Sequence, residues 1–118
     1  MRFRAVLAAA LMLGACAGAP AGARSPALAS PQAVAGVWTL TVEGRAACKL
    51  LLTAAPAAQG YVASPQGGCP IAVAQWRPVP DGVELAASDG LTLILLEPAG
   101  ANAFQGFDAA RRPARLVR

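Results

Sequence analysis

Histidine is absent from all 118 residues. That excludes a Ser-His-Asp triad and a His-ligated zinc centre. Aromatics are scarce, at 5% of the chain. The basic residues form one dense group, Arg111, Arg112, Arg115 and Arg118. Nucleic-acid binding needs a basic stripe interleaved with stacking aromatics. The sequence offers no such pattern, and the arginines read as solvated charge on a last edge strand. Acidic residues number six: Glu43, Asp81, Glu84, Asp89, Glu97 and Asp108. Most fall in turns or at strand ends, where solvation and capping explain them. The expectation is a protein that is not an enzyme, with no cofactor and no metal of its own.

What is present begins with an export signal. "MRFRAVLAAALMLGAC" places Arg2 and Arg4 ahead of an apolar run, Ala5–Leu13, followed by small residues. This is the layout of a secretory signal, and the run is too short to cross a bilayer as a helix. "LGAC" (Leu13–Cys16) resembles the bacterial lipobox, which makes 1–15 a lipoprotein-type signal peptide and Cys16 the lipidated first residue. The other cut is an A-x-A site at Ala21–Ala23, which leaves Arg24 first. With Ala17 after the cysteine, the expected location is the periplasm, tethered to the outer membrane. The lipid contributes about 0.8 kcal/mol per buried methylene. Without Arg2 and Arg4 the chain keeps 8 basic and 6 acidic residues, about +2.

Residues 16–33 are mostly Ala, Gly, Pro and Ser, with prolines at 20, 26 and 31. They read as an extended linker. Residues 34–118 read as a β domain. "GVWTLTVE" alternates, with Trp38, Leu40 and Val42 on one face. "ACKLLLT" puts Cys48, Leu50 and Leu52 together. "GYVAS", "CPIAVAQW", "VELAA", "LTLILLE", "AFQGF" and "ARLV" complete about eight short strands. This spacing predicts an antiparallel sandwich or barrel. Eight strands close into a barrel that side chains just fill.

So small a core often requires a staple. Cys48 and Cys69 are the cysteines left if Cys16 carries lipid, and an exported domain meets an oxidising compartment. Their disulfide closes a loop of about 22 residues and contributes roughly 3 kcal/mol. Val79–Gly82 reads as a type I turn with Pro80 second and Gly82 left-handed. Ser88-Asp89-Gly90 makes another turn. Pro78 marks Arg77–Pro80 as a strand exit. Trp76 is expected to cap one barrel end, with Arg77 stacked on an aromatic face.

The string "WRPVPDGVELAASDG", with "VAGVWTL", "CKLLL" and "GGCP" upstream, resembles the bacterial alkaline proteinase inhibitor family. These are periplasmic inhibitors of serralysin-type zinc metalloproteases. The matching positions are Gly36 and Trp38, Cys48 and Cys69, Trp76, Arg77, Pro78, Pro80, Asp81, Gly82, Asp89 and Gly90. The resemblance implies an all-β, eight-stranded antiparallel barrel of the lipocalin/avidin type with one disulfide. It also implies a mechanism, in which an N-terminal segment enters the protease cleft and its free amine reaches the protease's zinc. Here the segment falls on Arg24, Ser25, Pro26, Ala27 and Leu28, where only Ser25 and Leu28 match the family in kind. The implied partner is a secreted serralysin-type zinc metalloprotease, bound by a monomer. The competing reading is an outer-membrane-anchored barrel lipoprotein, a binding or structural module without inhibitory activity.

Overall fold

The computed structural model describes residues 28–118. Its elements are α1 (Pro31–Val34), β1 (Gly36–Val42), β2 (Arg45–Ala57), β3 (Gly60–Gln66), β4 (Gln75–Val79), β5 (Gly82–Ala86), β6 (Thr92–Pro98), β7 (Ala103–Asp108) and β8 (Pro113–Val117). Every neighbouring pair is antiparallel, and β8 returns to pair with β1, closing an eight-stranded barrel. The architecture is the all-β barrel expected from the strand count.

Alternation explains the interior. The inward residues of β1 and β2, Trp38, Leu40, Leu50 and Leu52, are buried, as are Val83, Leu85, Ile94, Leu96 and Leu116 from the other half. Trp76 joins them with no exposed surface. Each such aliphatic side chain contributes about 1.5–3 kcal/mol by leaving water. The barrel is therefore filled rather than hollow. A concavity of about 560 Å³ lies on its outer wall, beside the exposed Leu95 and Phe107. The Cys48–Cys69 disulfide is formed, with Cα atoms 4.9 Å apart. It ties the start of β2 to the loop between β3 and β4.

Tight turns join most strands. Glu43 and Gly44 have φ of 55° and 78° between the paired Val42 and Arg45. Two left-handed residues make a type I′ turn, whose twist matches the strands it joins. At the next such turn the left-handed residue is Asp81, at φ 64°, not Gly82. The turn is of type II character, correcting the expected type I. Gly82 is already in β5, and a Cβ there would collide with the Leu96 carbonyl of β6. Glycine is required by that close approach.

Five further expectations change. Ile71–Ala74 is not strand; β4 begins at Gln75 and runs through Arg77 and Pro78 to Val79. Pro78 is tolerated because β3 pairs with β4 only at Gln75 and Trp76, leaving Pro78 a partner in β5 alone. The arginine-bearing β8 is not an edge, since closure gives it partners on both sides. Trp76 does not cap an end but lies in the core, against Tyr61 at 5.3 Å between ring centroids. The linker expected over 16–33 gives way to helix at Pro31, so Pro31, Gln32 and Ala33 belong to α1. The signal segment and Cys16 lie outside the described residues.

Candidate functional site

The N-terminal segment meets the barrel at α1. Ser30 caps the helix, its Oγ accepting from the Ala33 amide at 3.4 Å, and Pro31 takes the first helical position. Both choices suit a helix start: the serine satisfies a free amide and the proline's fixed φ is already helical. One turn of helix has little stability of its own, so its packing decides. Val34 is buried, and Ala29 packs against the same core cluster.

The C-terminal end of α1 is held from two sides. The Trp38 indole N–H donates to the Val34 carbonyl at 2.8 Å. The Arg118 guanidinium donates to the carbonyls of Ala33 at 3.1 Å, Val34 at 3.3 Å and Ala35 at 3.0 Å. It also lies 4.3 Å from the centre of the Trp38 ring, whose other neighbour is Phe104 at 5.5 Å. The last carbonyls of a helix have no partner within it, and a cation there also faces the negative end of the helix dipole. Upstream of this clamp Leu28 is 59% exposed. Of the predicted segment, Arg24, Ser25, Pro26 and Ala27 lie outside the described residues.

The residues of the "WRPVPDG" string gather elsewhere. Arg77 does not stack on an aromatic ring. Its Nε pairs with Glu84 at 2.8 Å, and its other nitrogens donate to the carbonyls of Gln59 and Gly90 and to the Thr92 hydroxyl. Gln75, buried beside it, accepts from the Gln59 amide and donates to the carbonyls of Ala87 and Ser88. Trp76 donates to the Thr53 carbonyl at 2.9 Å. The string is thus a set of struts joining the β2–β3 and β5–β6 turns. Two further acids, Asp89 and Asp108, have local partners too. Asp89 accepts from the Leu91 amide. Asp108 accepts from the amides of Ala110 and Arg112 and from the Arg112 side chain. The Arg112 backbone N–H is the main reason the Asp108 carboxyl sits below its usual pKa.

A family model described as protease inhibitor Inh matches residues 28–118, which is α1 and the whole barrel. The chain belongs to the Inh family of protease inhibitors. Among solved structures it is similar to one titled the crystal structure of a psychrophilic marine protease MP inhibitor, with 28% identity and a TM-score of 0.59. That match covers 76% of this chain and 99% of the other. No curated protein matches. The Inh match starts at Leu28 and so includes the clamp but not Arg24–Ala27.

Sequence reasoning missed both halves of the clamp. A signal for α1 existed in Ser30-Pro31, a cap followed by a first-position proline. For Arg118 there was none, because its position over Trp38 depends on barrel closure.

Proposed function

We propose that this Inh-family chain inhibits a secreted zinc metalloprotease of the serralysin type, with Arg24–Leu28 entering the protease cleft. The observation that carries the reading is the clamp: α1 is fastened to a rigid barrel immediately downstream of an exposed Leu28. A segment rooted in this way loses less freedom on binding than a free peptide. Pro26 adds an extended backbone. A deprotonated N-terminal amine is a competent zinc ligand and displaces the water that hydrolysis requires. The zinc is the protease's. Membership in an inhibitor family supports a role as inhibitor rather than enzyme.

We place the protein in the periplasm. The signal-peptide cut decides how it inhibits. Cleavage after Ala23 leaves a free amine on Arg24, within reach of zinc. Cleavage before Cys16 yields a lipid-anchored form that lays the linker across the cleft without that amine. Mass analysis of the mature N-terminus distinguishes the two.

The decisive assay compares fragment 24–118 with a fragment begun at Pro31 against a serralysin-type protease. Both retain every buried hydrophobic residue of the described core, and the shorter also loses the Ser30 cap and Ala29, so amide exchange at Ala35 is measured in both to check that α1 persists. The longer fragment should inhibit and the shorter should lose most of its potency. Equal potency, or none from either, would reject the cleft-entry mechanism.

A further inference from the structure

We propose that Arg118 is a positioning residue for protease binding. Its guanidinium sets the direction in which the N-terminal segment leaves the barrel. The inference rests on the inhibitory reading above.

Three observations meet here. First, α1 has four residues, too few to hold its shape alone. Its end carbonyls are satisfied by the nearby Trp38 indole once and by Arg118, more than 80 positions away, three times. Second, Arg118 is itself fixed. Its backbone N–H donates to the Asn102 carbonyl at 2.9 Å, and its Nε to the Asn102 side-chain oxygen at 3.4 Å. The β6–β7 turn therefore holds the arginine that holds the helix. Third, Gly36 has φ 139°, and a Cβ there would lie 3.4 Å from Arg118 Nη1 and 3.8 Å from its Cδ. That contact is an ordinary one, so glycine at 36 is required by its φ, while Arg118 packs against it and over the Trp38 ring.

A planar fork is suited to this task. It donates to several carbonyls at once while lying over an indole, and a lysine ammonium reproduces neither feature. The bonds to Ala33 and Ala35 are exposed. Exposed polar contacts add little to global stability. The clamp's effect therefore falls on the orientation of the segment, which governs how much freedom is lost on entering a cleft.

The test uses fragment 24–118 as wild type, Arg118→Ala and Arg118→Lys. Three quantities are measured: inhibition of a serralysin-type protease, amide hydrogen exchange, and the thermal midpoint. Arg118→Ala should weaken inhibition about tenfold, as expected when a pre-ordered segment is released. It should speed exchange at the Ala35 amide, which bonds the Pro31 carbonyl at 2.9 Å. Exchange in the barrel strands and the thermal midpoint should stay unchanged. Arg118→Lys should recover only part of the potency. Inhibition that is unchanged, or that falls only in step with a lowered midpoint, overturns the proposal. If the wild-type fragment itself fails to inhibit, the proposed function falls, and the clamp is judged by exchange alone. Unchanged exchange at Ala35 then overturns it, and faster exchange confined to α1 supports it.

Discussion

Two regions of this barrel are built around a tryptophan and an arginine, and they do different work. In the first, Trp76 is buried and Arg77 pairs with Glu84 while bracing the turns around Gln59 and Gly90. In the second, Trp38 is buried and Arg118 grips the carbonyls that end α1. The first arginine joins parts of the barrel to each other. The second joins the barrel to the segment that precedes it. A charged side chain with a carboxylate partner and several backbone acceptors stabilises a local fold. One lying on a ring beneath a short helix fixes a direction.

The largest expected effect tests what the two regions share. Trp38→Ala and Trp76→Ala each remove a fully buried indole and should cost about 3–5 kcal/mol in urea unfolding. A Trp38→Ala loss under about 1 kcal/mol would show that the α1 end does not unfold with the barrel. A smaller effect separates the arginines. Arg77→Met should cost about 1–2 kcal/mol, because it leaves the partly buried Glu84 and Gly90 carbonyl short of a donor. Adding Glu84→Gln should recover part of that loss. Arg118→Met should cost less than about 1 kcal/mol, its contacts being largely exposed. Equal losses at 77 and 118 would break the contrast.

The smallest effect concerns Asp108, in the turn between β7 and β8. Its lowered pKa means that its carboxylate contributes stability above the ordinary value of 3.8 and loses it as pH falls through the folded value. The melting difference between wild type and Asp108→Asn should therefore be present at pH 7 and shrink as pH drops below about 4. A difference that holds constant with pH would show that the charge is not involved.

Much of the barrel was legible because strands bury alternate residues. Trp38, Leu40, Leu50, Leu52 and Leu85 could be assigned to the core by period alone, and each is buried. The disulfide followed from cysteine number and compartment. The boundaries of β4 did not. Ile71–Ala74 has the apolar character of a strand, but the Val73 amide turns back on the Ile71 carbonyl, and of the segment only Ala74 bonds to the neighbouring Ala63 and Ala86. Pro78 looked like a strand exit because a proline cannot serve two partners, and in β4 it is asked to serve only one. The "WRPVPDG" string identified the family correctly while lying away from the α1 clamp.

Sequence by itself determined most of the strands, their inward faces and the staple, and the "WRPVPDG" string carried the family resemblance. These depend on neighbours within a few residues or on simple counts. Tertiary structure decided that no described strand is left at an edge, where Trp76 points, and what holds α1. Arg118 reaches Ala33 across 85 positions of chain. It does so only because β8 closes against β1, a pairing that no local pattern encodes.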